Sequence, residues 1–317
     1  MEITRRQMII GAAALGAMQL IPSLSYEGEL EPKCQVFVVG DLHLTRRPKH
    51  AQEKAAMLLS SLKALAMGKV GFHLIFNGDV LEFPNLAKTC ENGAWQWEEF
   101  ARLYTSLREI GFIPHLNFGN HDGSEEFARD NLKGLIPDEY IGNSSFALGG
   151  TKFILLSGTH PTELDGGFLN SELESGRGRR IIVATHYPPD KLTWRRDKWG
   201  KKLSYDIWRK QKIMQMLSIA GASVVCSHSH SPFVGEYASG RLNQNLNVVG
   251  TPSVTYTLPY LKTDLKPKRV AGITIVDTRD FLRGTKFFDG KRAFRPGRLS
   301  IESKKGKYLP LQPRLRS

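Results

Sequence analysis

Five short polar clusters each close an apolar, strand-like run, and this pattern constrains the fold more than any other feature of the chain. The clusters are Gly40-Asp41-Leu42-His43, Gly78-Asp79, Gly119-Asn120-His121-Asp122, His186 and His228-Ser229-His230. The runs before them, 36–39, 74–76, 115–118, 181–185 and 224–227, are β-rich. Each such run reads as a strand. About 40 residues separate Asp41 from Asp79, and Asp79 from Asn120. Each interval accommodates a strand–helix–strand crossover. Side chains at the carboxyl ends of such strands meet in one crevice, where ligands of open α/β sheets bind.

The residue types gathered there are three aspartates, an asparagine and five histidines. Aspartate bridges cations and offsets their charge. Neutral imidazole and an amide oxygen add ligands without adding negative charge. A donor set of O and N atoms without thiolate excludes the all-cysteine structural zinc pattern and points to Mn, Fe, Ni or Zn. Two such ions about 3.5–4 Å apart clamp the attacking and leaving oxygens of an in-line displacement at phosphorus. His50, His73, His115 and His160 lie outside the pattern and read as ordinary core or surface residues.

The ordered set resembles the calcineurin-like metallophosphoesterase superfamily, whose pattern runs GDxH, GD, GNH(D/E), a lone His, then GHxH. The resemblance spans residues 41 to 230. It implies a four-layer αββα sandwich of two mixed β-sheets flanked by helices. It also implies that Asp41, His43, Asp79 and His230 bind one divalent ion, and that Asp79, Asn120, His186 and His228 bind a second. Asp79 is then the bridge. His121 would donate a proton to the leaving oxygen, with Asp122 orienting it. The implied reaction is hydrolysis of a phosphodiester, or of a monoester or pyrophosphate, by a metal-bridging hydroxide. One position departs from the pattern: Ser227 stands where the family has glycine. A small residue there still lets the turn pass close to the metals.

In its start Asp41-Leu42-His43-Leu44 and its turn at 77–83, the chain also resembles enzymes of this superfamily that cleave UDP-diacylglucosamine, a nucleotide-linked lipid A precursor. Nucleases of the superfamily share the site as well. A non-catalytic binding scaffold usually loses ligands, whereas every ligand position here is filled.

Residues 1–25 read as an export signal. Arg5-Arg6 precede a weakly apolar Gly/Ala-rich stretch, and Ser23-Leu24-Ser25 fits a small-x-small cleavage rule. The paired arginines resemble a twin-arginine signal, which sends a folded protein to the periplasm or another extracytoplasmic space. Retained, the stretch would anchor the chain, although Gln19 and Pro22 interrupt it. Residues 26–282 form the metallophosphoesterase domain, with strands expected at 35–39, 72–77, 113–117, 146–148, 152–157, 180–185, 223–227, 233–237, 245–249 and 270–276. Helices are expected at 52–67, 94–108, 125–132 and 206–220.

The net charge of +13 concentrates in a basic extension, 283–317, with eleven Lys/Arg against two acids. From residue 290 its Gly, Pro, Lys and Arg content predicts irregular structure. It reads either as a solvated extension or as a contact for an anionic surface or nucleic acid. The segment 188–205 follows His186 and interleaves basic and aromatic residues. Arg195 and Arg196 suit a phosphate, and Trp194 and Trp199 suit stacking against a base, sugar or aromatic leaving group. Trp95 and Trp97 fit either a wall of the site or the packing of a helix. Three cysteines, Cys34, Cys90 and Cys226, are too few for a disulfide framework. No obligate protein partner is evident; the partner implied is the phosphate-ester substrate.

Overall fold

The computed structural model describes residues 32–44, 48–82, 91–159, 164–188, 212–228, 230, 232–238, 246–254, 272–288, 293–294 and 298–302. Residues 1–25, most of 188–205, Cys90 and His160 lie outside them, as do the expectations placed there.

The first sheet is built on β1 (Gln35–Val39), β2 (Phe72–Asn77) and β3 (Phe112–Asn117), which pair in parallel. The second is built on β4 (Ser144–Leu148), β5 (Thr151–Leu156), β6 (Arg180–Thr185), β7 (Ser223–Cys226), β8 (Phe233–Ala238) and β9 (Leu246–Gly250). The chain then returns through β10 (Ile273–Asp277), which pairs antiparallel with β1, and continues into β11 (Lys286–Phe288), β12 (Ala293–Phe294) and β13 (Arg298–Glu302). Strand order is β12-β11-β10-β1-β2-β3 in one sheet and β13-β8-β9-β7-β6-β5-β4 in the other. Both sheets mix parallel and antiparallel pairs.

The helices are α1 (Pro48–Ala66), α2 (Glu91–Glu109), α3 (Glu125–Leu132), α4 (Gly166–Ser175), α5 (Ile213–Ala220) and the short α6 (Phe281–Gly284). The period-2 alternation of the strands shows how the layers stack. Phe37 and Val39 of β1 face the helix layer with Leu58 and Leu62 of α1 and Leu107 of α2. Val36 and Val38 face the other sheet, in a core with Phe153, Ile182, Val225 and Val249. On β6, Ile181 and Val183 pack with Leu169 of α4 and Leu217 of α5, while Ile182 turns inward. Each central strand is therefore apolar throughout because both its faces are buried. This is the four-layer αββα sandwich of two mixed sheets flanked by helices.

Two differences from the expected elements have physical causes. Helix α4 begins with Gly166-Gly167, poor helix formers. It is started by Asp165, whose carboxylate accepts the Phe168 N–H at 2.9 Å, and it is anchored by Leu169 and Leu173. The stretch after residue 290, expected to be irregular, contributes β12 and β13. Each extends one edge of a sheet, where exposed ladder groups supply partners that composition does not reveal. Trp97 is fully buried and Trp95 packs against the same core, so the helix-packing reading of these residues holds. Among the described residues no helix is long and apolar enough to cross a membrane.

Candidate metal centre

All five polar clusters fall at the carboxyl ends of β1, β2, β3, β6 and β7. The loops after β1 and β2 stay paired beyond the sheet. Asp41 N–H donates to the Gly78 carbonyl at 3.1 Å, His43 N–H to Asp79 at 2.9 Å and Leu44 N–H to Val80 at 2.7 Å. Five non-glycine residues here have left-handed backbone: Asp41 (φ 52°), His43 (45°), Asp79 (53°), His228 (63°) and His230 (55°). Such conformers cost about 1–2 kcal/mol each for L-residues and persist where the surroundings over-determine them, typically at functional sites. Gly78, at φ 83°, is required for a second reason. A Cβ there would stand 2.5 Å from His186 Nδ1.

The side chains converge. Asp41, His43, Asp79 and His230 each present one ligand atom within 4.8 Å of the others, and so do Asp79, His186 and His228. Asp79 belongs to both groups. Its Oδ2 lies 3.3 Å from His186 Nε2 and 3.9 Å from His43 Nε2. His230 Nε2 stands 3.4 Å from Asp41 Oδ1 and 3.2 Å from His43 Nε2. Asn120 Oδ1 lies 3.2 Å from His186 Nε2, so the seven ligand positions expected from the sequence are brought together.

The backbone fixes which ring nitrogens face inward. His43 Nδ1 donates to the Leu81 carbonyl at 3.2 Å and His186 Nδ1 to the Asn77 carbonyl at 3.1 Å. A carbonyl only accepts, so each neutral ring turns an Nε2 lone pair towards the centre. At His186 that lone pair meets a carboxylate oxygen, an amide oxygen and, at 3.1 Å, His228 Nδ1. A meeting of lone pairs is stable only around a cation or a proton.

The titration of the cluster without metal expresses this. Burial works against charge on His186, but Asp79 and Asp41 outweigh it and push the ring up to about 9. Burial would raise the Asp79 carboxyl, yet His186, His43 and His121 hold it well below the usual range. Burial pulls His43 and His228 down to about 4, the neutral form that a metal requires. The donor set therefore fits divalent ions. Ions here would be held by Asp41, His43, Asp79 and His230, and by Asp79, Asn120, His186 and His228.

His121 is held by the loop after β2. Its N–H donates to Asp79 Oδ1 at 2.8 Å and its Nδ1 bonds the Glu82 carbonyl. Its ring lies perpendicular to that of His43, centroids 4.9 Å apart. Asp122, expected to orient this ring, acts elsewhere. Its buried carboxylate accepts the N–H groups of Gly119 at 2.7 Å, Asp79 at 2.9 Å and Leu81 at 3.0 Å. It fixes the main chain that carries Asp79 and reaches His121 only through that loop. Arg195, Arg196, Trp194 and Trp199 lie outside the described residues.

Sequence reasoning missed Asn77 and Asn117, the last residues of β2 and β3. Both are fully buried, and their side chains join the two sheets directly beneath the ligands. A signal is present in the sequence: an asparagine closing an apolar run, immediately or two residues before a glycine.

A family profile described as calcineurin-like phosphoesterase matches residues 35–232. No curated protein matches the chain. Among solved structures, one crystal structure is 13% identical with a TM-score of 0.50, covering 81% of this chain and 100% of that chain. The crystal structure of TT1561 of Thermus thermophilus is 9% identical with a TM-score of 0.44, covering 78% of this chain and 95% of that chain. The first likeness bears on the fold alone. With the profile spanning well over half the residues, and every strand end supplying its ligand, the chain belongs to the calcineurin-like phosphoesterase family.

Proposed function

We propose that the protein is a dinuclear metal-dependent phosphoesterase that hydrolyses phosphodiesters, with monoesters and pyrophosphates open to the same chemistry. The supporting observation is the position of Asp79, whose carboxylate stands in both ligand groups. Divalent ions, when bound, supply Lewis-acid stabilisation at phosphorus and a nucleophile at neutral pH.

The protein's own groups do the rest. Asp41 and Asp79 bring negative charge against two cations, while the neutral histidines and Asn120 add donors. His121 commits Nδ1 to the Glu82 carbonyl, which leaves Nε2 to carry a proton to the departing oxygen. This matters most for an alkoxide, the poorest leaving group of the set, and favours alkyl esters over pyrophosphates. Asp122 keeps Asp79 and the Glu82 loop in place. In the same reading, residues 1–25 take the enzyme out of the cytoplasm. The native metals would be drawn from Mn, Fe, Zn and Ni.

The test is a panel of alkyl and aryl phosphodiesters, monoesters and pyrophosphates, assayed with each metal. Metal-dependent turnover highest on diesters is the expected result. A protein that binds metal stoichiometrically yet turns over nothing in the panel would overturn the reading.

A further inference from the structure

The two halves of the centre come from different sheets. Asp41, His43, Asp79 and Asn120 follow strands of the first sheet, whereas His186, His228 and His230 follow strands of the second. Apolar packing between sheets sets their spacing only loosely, since side chains can repack with small shifts. A metal centre needs its ligands placed within about 0.5 Å.

One buried polar network crosses the gap at this depth. Asn77 and Asn117 are register partners at the ends of β2 and β3. Asn117 Nδ2 donates to Asn77 Oδ1 at 2.9 Å and to the Ala184 carbonyl of β6 at 3.0 Å. Asn77 Nδ2 donates to the Thr185 carbonyl at 2.9 Å and to Ser227 Oγ at 2.9 Å. Carbonyl partners fix the orientation of both amides, because only the NH2 end can donate. Ser227 Oγ also bonds Thr251 Oγ1 at 2.7 Å, and Ser227 N–H donates to the His186 carbonyl at 3.0 Å. Asn77, Asn117, Ser227 and Thr251 are all fully buried.

Every ligand loop begins at this network. Asn77 is two residues before Asp79, Asn117 three before Asn120, Thr185 one before His186 and Ser227 one before His228. The fifth loop rests on it, because a Cβ on Gly40 would collide with the Ser227 and Thr251 hydroxyls. The Ser227 hydroxyl, present where the family pattern has glycine, takes the second amide proton of Asn77. With glycine there, the amide would be left with only the long, weak bond to the Val225 carbonyl at 3.5 Å.

We propose that Asn77 and Ser227 are positioning residues. Their contact locks the two sheets in register and so preorganises the metal centre, with Ser227 as this chain's own addition. This rests on the metal reading above. Groups behind metal ligands typically change affinity about 10–100-fold when removed.

The experiment is calorimetric titration of metal-free parent, Ser227→Ala, Asp130→Asn and Asn77→Asp proteins with Mn, well below each melting temperature. Ser227→Ala should weaken metal binding about tenfold, and Asn77→Asp, which sets a carboxylate against the Thr185 carbonyl, about 100-fold. Asp130→Asn, an exposed change on α3, is the control and should match the parent. A purely structural role would lower the melting temperature and leave the affinity unchanged. Parent-like affinity in Ser227→Ala overturns the inference, and that variant decides the matter if Asn77→Asp does not fold. A parent that binds no metal would instead overturn the metal reading itself.

Discussion

Replacing Asp122 by asparagine tests how the loop after β2 is held. The parent carboxylate accepts three buried backbone N–H groups, two at Oδ2 and one at Oδ1. An amide oxygen placed at Oδ2 keeps the bonds from Asp79 and Gly119. The amide nitrogen then confronts the Leu81 N–H, donor against donor. A stranded buried donor costs about 1–3 kcal/mol, and two bonds that lose charge assistance weaken by about 1 kcal/mol each. The total is about 3–5 kcal/mol. Relief of the burial cost of the charge, and then of repulsion from Asp79, works the other way, since both push the Asp122 carboxyl up to about 7. Saturating metal removes the Asp79 part of that relief by neutralising its charge, so the comparison belongs in saturating Mn. At about 1.5 °C per kcal/mol for a chain of this size, the melting temperature should fall by about 5–8 °C. Asp130→Asn, an exposed change on α3, is the control and should stay within about 1 °C. A melt of Asp122→Asn that coincides with the parent would refute the reasoning.

Three further outcomes follow from the same geometry. His121→Ala should retain metal stoichiometry and slow alkyl phosphodiesters about 100-fold or more, while aryl esters with good leaving groups lose far less; equal losses would contradict the proton-donor role. His73 and His115 stack against Phe146, and burial lowers their pKa values to about 4 and about 3. Below about pH 6.5 the unfolded chain therefore binds protons that the native pair refuses. Stability present above that pH is lost as the pH falls towards about 4, by up to about 1.4 kcal/mol per pH unit per ring. Denaturant melts from about pH 7 to about pH 4 should show a flatter loss in His115→Phe than in the parent, and parallel curves would count against it. Gly119→Ala places a methyl group against Asp79 Oδ1 and should lower metal affinity more than it lowers the melting temperature; titration calorimetry and a thermal melt on one sample decide.

The ligand centre is legible in the sequence because strand ends carry it. An apolar run buried on both faces is the clearest local signal in an α/β chain, and β1, β2 and β6 begin and end where that signal does. The polar residue just past each run then has one place to go. What is not legible depends on partners distant in sequence. The Asn77 amide reads like any turn-forming asparagine until Thr185 and Ser227 are seen opposite it. Asp122 sits beside His121 in sequence, which suggests an orienting pair, but it commits its carboxylate to three N–H groups. Strand β13 pairs with β8 across about 60 residues, and the basic extension in which it lies gives no hint of this. Helix α4 is hidden by its two leading glycines, and only the cap at Asp165 and the Leu169/Leu173 spacing mark it.

The role of Asp79 as shared ligand of two ions underlies the proposed chemistry. Metal content by elemental analysis, measured on Mn-loaded parent and Asp79→Asn proteins after removal of free metal, tests this most directly. The prediction is two ions per parent chain and loss from both positions in the variant. A parent without stoichiometric metal, or a variant that keeps both ions, would contradict it.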